Sequence, residues 1–76
     1  MKITLIFHGS LKKYNNDLAE TELEIPERTT VAGLISRIGV SKEEIAFVAV
    51  NGSRAAFDAI IHEGDEVKFF QLVGGG

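Results

Sequence analysis

The chain has 76 residues, a formal net charge of −3 at neutral pH, 45% hydrophobic residues and no cysteine. That length allows one domain with a modest core, and the lack of cysteine excludes disulfide staples, thiolate nucleophiles and thiolate metal sites. The acidic balance lacks the basic footprint of a nucleic-acid binder or of a surface drawn to anionic lipid.

No apolar run approaches the roughly 20 residues of a membrane span. Residues 1–7 lack the length and the small-residue cleavage site of a signal peptide. A soluble, cytoplasmic protein is therefore expected. The two histidines, His8 and His62, stand far apart and no metal-ligand spacing is present, so no metal site is expected.

Ile3, Leu5 and Phe7 alternate with Lys2, Thr4 and Ile6, which predicts a strand over 2–7. Residues 8–17 hold Gly9, Ser10, Asn15, Asn16 and Asp17, all turn formers. Within them Leu11 and Tyr14 stand three apart, as in a short helical turn that tucks both inward. Over 20–25 Thr21, Leu23 and Ile25 alternate with Glu20, Glu22 and Glu24. That gives one half-buried face and one wet, acidic face that also protects a sheet edge. Pro26 ends the strand.

The period then changes. Val31, Leu34, Ile35 and Ile38 share one helix face. Thr30 is the expected N-cap and Gly39 the expected stop, while Gly33 inside costs about 1 kcal/mol relative to alanine. Ser41-Lys42-Glu43-Glu44 reads as a capping box opening one further turn. Residues 47–50 predict a short apolar strand. Asn51-Gly52 follows, and a type I′ hairpin needs positive φ at both of its central residues. Residues 54–56 are the return strand, 57–62 an irregular or briefly helical stretch and 63–65 a turn. The last strand is expected over 66–72, with Val67 and Phe69 on one face and Phe70 and Leu72 on the other.

This order of hairpin, helix, hairpin and strand is that of the β-grasp fold. It is an α+β fold in which a mixed sheet of four to five strands wraps one helix, its first and last strands parallel in the middle. A domain over 1–72 and a glycine tail over 73–76 are expected.

The feature that carries chemistry is Gly74-Gly75-Gly76, placed directly after a strand. A glycine run weakens any element it enters, so it does not serve the core. Composition alone leaves two readings. One is an idle end. The other is a slim peptide that threads a narrow channel and presents the carboxylate of Gly76. Four extended residues reach about 13–14 Å. A terminal carboxylate, with a pKa of about 3.5, is ionised at neutral pH and is a poor acyl donor. To accept sulfur it must first become a mixed anhydride, most simply an acyl-adenylate made from ATP. The chain has neither a phosphate-cradling glycine loop followed by lysine nor an activated nucleophile. On this reading it is a substrate and a partner is the enzyme.

The whole chain resembles the MoaD/ThiS family of ubiquitin-like sulfur carriers. The resemblance lies in Phe7-His8-Gly9-Ser10-Leu11, Phe47-Val48-Ala49-Val50-Asn51-Gly52, Gly64-Asp65-Glu66-Val67 and Val73-Gly74-Gly75-Gly76. It implies that Gly75 and Gly76 are the reactive end and that Gly74 adds only flexibility. A ubiquitin-activating-type enzyme would spend ATP to adenylate Gly76, a sulfur donor would convert it to a thiocarboxylate, and an acceptor synthase subunit (MoaE-like or ThiG-like) would receive the sulfur. No cofactor is expected on the chain itself. The opening, with Leu11 and Tyr14 in its loop, resembles the MoaD branch, which serves the molybdenum or tungsten pterin. The Val-Gly-Gly-Gly ending resembles the ThiS branch, which serves thiazole. Gln71-Leu72 stands where many MoaD chains carry two prolines. The pterin branch is carried forward first and the thiazole branch second.

Phe70 and Leu72 point away from the expected core, and Ile6 joins them if the first strand lies beside the last. An exposed apolar patch of this kind marks an interface, so Ile6, Phe70, Leu72, Val73 and Gly74 are the expected partner-binding residues. Phe57 either extends the patch or plugs the end of the core. Arg54 is read as a solvated turn residue, and His8 and His62 as loop or surface residues. Two other functions use the same sequence: a protein modifier conjugated through Gly76, and an interaction module whose tail is idle.

Overall fold

The alternation of the opening residues folds as β1 (Lys2–Phe7), which turns Ile3, Leu5 and Phe7 into the core. The computed structural model describes residues 1–73. A 3₁₀ helix, Gly9–Asn15, follows and buries Leu11, with Tyr14 half-buried beside it. β2 (Glu20–Glu24) keeps its three glutamates in solvent and leads to the buried Ile25.

The predicted helix forms as α1 (Val31–Ile38). Thr30 Oγ1 accepts from the Gly33 amide at 3.0 Å, and the Gly39 amide closes the far end on the Ile35 carbonyl. A side-chain oxygen at this position satisfies one of the amides a helix leaves open. Val31, Leu34 and Ile35 bury one face against the sheet's inner side chains, within a single hydrophobic cluster that also holds Val48, Ile61, Val67 and Phe69. β3 (Ile45–Val50) and β4 (Ser53–Ala55) are joined by Asn51-Gly52, at φ 52° and 85°. Both central residues are left-handed, as the tight hairpin requires.

The sheet has five strands in the order β2-β1-β5-β3-β4, with β5 spanning Glu66–Gln71. β1 and β5 run parallel at its centre, with Leu5 opposite Val67 and Phe7 opposite Phe69. β3 lies antiparallel to β5, and β2 antiparallel to β1. Among the described residues the protein is thus an α+β, β-grasp domain.

Two local expectations are corrected. The capping box at Ser41 does not close on itself: the Ser41 hydroxyl donates to Glu43 Oε2 at 2.9 Å, and Glu44 turns away. Tyr14 takes over, its hydroxyl accepting from the Ser41 amide at 3.4 Å and donating to Glu44 Oε1. A tertiary contact has replaced a local one that the sequence favoured. The last strand ends at Gln71, one residue early, because the Leu72 amide leaves the ladder for the Glu44 carbonyl at 2.8 Å.

Candidate functional site

Strand alternation sends Phe69 and Val48 inward, so Phe70 and Phe47, directly opposite each other in the β3–β5 register, face out. Their rings stack at 4.5 Å between centroids, 17° from parallel. On its other flank Phe70 stacks on His8, also at 4.5 Å. The Arg54 guanidinium lies over Phe47, 5.2 Å from its centroid. Arg54, Phe47, Phe70 and His8 thus form one row across β4, β3, β5 and the end of β1. Offset stacks of this kind hold rings in fixed positions, so the row is a preformed apolar surface.

Two sequence expectations gain detail here. Arg54 is exposed, as expected of a solvated residue, but it sits in β4 with its guanidinium over an aromatic face. His8 is half-buried, with Nε2 enclosed and without a hydrogen-bond partner among the described residues. Phe47 was absent from the expected patch. The antiparallel pairing that brings it to Phe70 is shifted by an irregularity between Ile45 and Phe47, which alternation within one strand does not reveal.

The expected patch residues fall around this row. Ile6 is half-buried on the outer face, opposite Lys68. Phe57 is 44% exposed, Leu72 58% and Val73 74%. Phe57 therefore extends the apolar surface and does not plug the core. With Phe47, Arg54 and Ala46 it lines a shallow groove of about 390 Å³, and Lys42 Nζ lies 6.0 Å from its ring centroid. Val73 is the last described residue; Gly74, Gly75 and Gly76 lie outside the described residues.

The root of the tail is held from two sides. The Ser10 amide donates to Gln71 Oε1 at 2.6 Å, and the Leu72 amide donates to the Glu44 carbonyl at 2.8 Å. Glu44 is itself fixed, with Lys13 Nζ 2.6 Å from Oε2 and the Tyr14 hydroxyl on Oε1. The hydrogen bond from Lys13, followed by that from Tyr14, lowers the Glu44 pKa, and the same pairing raises that of Lys13.

His62 stands 4.0 Å from Asp65 and is exposed. Among the described residues no cluster of three His, Asp or Glu side chains could hold a metal ion, and no helix is long and apolar enough to cross a membrane.

Comparison with known proteins gives the arrangement a lineage. No curated protein matches the chain. The ThiS family model matches residues 5–76. Solved structures share the fold. A putative molybdopterin converting factor, subunit 1, from Pyrococcus furiosus is 25% identical, with a TM-score of 0.78 over 96% of this chain and 99% of that one. Small archaeal modifier protein 1 from Haloferax volcanii is 17% identical, with a TM-score of 0.77 over 95% and 98%. A complex of subunits 1 and 2 of the molybdopterin-converting factor from Helicobacter pylori matches at 15% identity and a TM-score of 0.67, over 100% of both chains. With the family match running through the β-grasp sheet and on across the glycine run, the chain belongs to the ThiS family of ubiquitin-fold sulfur carriers.

Proposed function

We propose that this chain carries sulfur as a thiocarboxylate on Gly76 and acts as a substrate of its partners. One observation carries the reading: the chain leaves the central strand beside a preformed aromatic row, through exposed Leu72 and Val73, and its sequence continues into three glycines. A partner seated on Ile6, Phe57, Phe70, Leu72 and Val73 would then have the glycines within reach of its active site.

A carboxylate oxygen of Gly76 attacks the α-phosphorus of ATP in the activating enzyme, and pyrophosphate leaves. Hydrosulfide, or a persulfide together with a reducing thiol, attacks the acyl carbon, and AMP leaves with both electrons of the acyl–oxygen bond. The product is the thiocarboxylate, which then passes its sulfur to a metabolite on an acceptor subunit. Gly75 and Gly74 keep the reactive end free of side chains. The acceptor is a pterin synthase subunit, a reading supported by the likeness to molybdopterin converting factor subunit 1; a thiazole synthase is the alternative acceptor.

Intact-mass spectrometry tests this. After incubation with a ubiquitin-activating-type enzyme, ATP and a sulfur donor, the C-terminal fragment should gain about 16 mass units. Sulfoxidation of Met1 gives a similar shift, so the gain has to be localised to the C-terminal fragment. Deletion of Gly74, Gly75 and Gly76 together should remove the gain and leave the fold intact, since removing Gly76 alone still leaves a Gly-Gly end. A gain that persists without the three glycines rules the carrier out. A ladder of high-mass conjugates in the native cell would favour a protein modifier, and full function without Gly75 and Gly76 an interaction module.

A further inference from the structure

We propose that Gln71 is a positioning residue, and that its side chain, latched onto Gly9 and Ser10, sets the direction in which the tail leaves the sheet. The inference rests on the carrier reading and adds to it the part that aims the reactive end.

Gln71 is the last residue of β5. Its carboxamide lies against the backbone of the 3₁₀ segment that follows β1, taking the Ser10 amide at 2.6 Å across 61 residues of sequence. Gly9 makes the approach possible. A Cβ on Gly9 would overlap all three terminal atoms of the carboxamide, and the Gly9 φ of +58° is itself one that side-chain-bearing residues avoid. The space a side chain would fill on one element is filled by a side chain from another.

The core does not require this contact. Leu72 and Val73 are exposed, so neither side chain is anchored in the core, and beyond the ladder pairing of Gln71 with Ile45 two polar links among the described residues hold the root of the tail. One is Gln71 to Ser10; the other is the Leu72 amide to the Glu44 carbonyl. Together they fix two successive residues from opposite sides. With the body docked through its aromatic row, a fixed root raises the share of complexes in which the reactive end lies in the partner's active site. Docking itself uses other residues. The latch should therefore act on turnover within the complex and not on its formation.

The test uses the full-length chain, an adenylating enzyme of the ubiquitin-activating type, ATP and labelled pyrophosphate. Exchange kinetics give kcat and KM for the chain. Gln71→Met keeps length and removes the acceptor; Gln71→Glu keeps an acceptor oxygen at the same reach. The expected result is a kcat about three- to tenfold lower for Gln71→Met with KM unchanged, and recovery in Gln71→Glu. Amide hydrogen exchange at Ser10 and Leu72 should speed up in Gln71→Met while that of Val67 and Phe69 does not change. Gly9→Ala should act like Gln71→Met, and if it fails to fold, the double change of Gly9→Ala with Gln71→Ala supplies the same readout. Faster exchange at Ser10 and Leu72 with kcat unaltered would overturn the inference and leave the carrier reading standing. No exchange activity in the unaltered chain would overturn both.

Discussion

Phe70 lies face to face with Phe47 across the central pair of antiparallel strands, at 4.5 Å, and its opposite face is covered by His8. The ring is held in place by the fold and yet stays only half-buried. Phe70→Ala should therefore cost the fold about 1–2 kcal/mol, less than the roughly 3–5 kcal/mol of a fully buried phenylalanine. Its effect on binding should be larger. A central aromatic anchor is worth about 2 kcal/mol or more, close to a thirtyfold loss of affinity. Calorimetric titration into the activating enzyme measures the second and thermal unfolding the first. A variant that binds with native affinity removes Phe70 from the interface.

Gly75→Leu should separate fold from function in the opposite sense. The substitution lies beyond the last strand, so the melting curve should be unaltered. On the carrier reading adenylation should fall about a hundredfold or more, because a branched side chain would displace the reactive end in a partner channel that admits bare backbone. Pyrophosphate exchange reads the outcome, and near-native exchange would mean that the channel is wide.

Glu44 provides a pH prediction. Its folded-state pKa lies below the ordinary carboxylate value of 4.5, owing to the hydrogen bonds from Lys13 and then Tyr14. A depressed carboxylate pKa means that the unfolded chain binds the extra proton, so stability is present above about pH 4.5 and is lost as pH falls through the folded value. Lys13 has the converse sign. Its raised pKa contributes stability below its ordinary 10.5 that is lost as pH rises further. Glu44→Gln should flatten the acid limb of a stability profile between pH 5 and 2, and Tyr14→Phe should flatten it in part. An acid limb as steep as that of the unaltered chain in Glu44→Gln would mean that the pair contributes nothing there. Both groups are solvent-facing, and added salt should shrink the effect.

The Thr30 cap is the simplest local test. Its hydroxyl holds the Gly33 amide at 3.0 Å at the start of an eight-residue helix. Thr30→Ala should cost about 1 kcal/mol, or about 4–8 °C in Tm for a domain of this size. Thr30→Ser should recover most of it. Equal melting of all three would mean that the cap is replaced by solvent.

Sequence periodicity carried most of the fold because each element obeys one period and one boundary rule. Val31, Leu34 and Ile35 fall on one helix face whatever they pack against, and Thr30 and Gly39 bound that face by local chemistry. Asn51 and Gly52 set their turn in the same way. The site was less legible. Phe70 could be assigned to the outer face from alternation alone, but its two neighbours could not. Phe47 reaches it through a long-range antiparallel pairing whose register shifts just before it, between Ile45 and Phe47, and His8 through a parallel crossover that joins residues 62 apart in sequence. The exchange of partners among Ser41, Tyr14 and Glu44 was illegible for the same reason. A local capping pattern was outcompeted by a tertiary hydroxyl 27 residues away.

The strand made last is the one at the centre of the sheet. Until residues 66–71 arrive, β1 and β3 have no neighbour between them, and Phe47 and His8 have no ring to sandwich. Such a topology delays closure, because its long-range pairing has to wait for the far end of the chain. The aromatic row is thus a certificate of completion. A chain cut short before residue 66 therefore lacks the row of stacked rings altogether, whatever else of the sheet it forms.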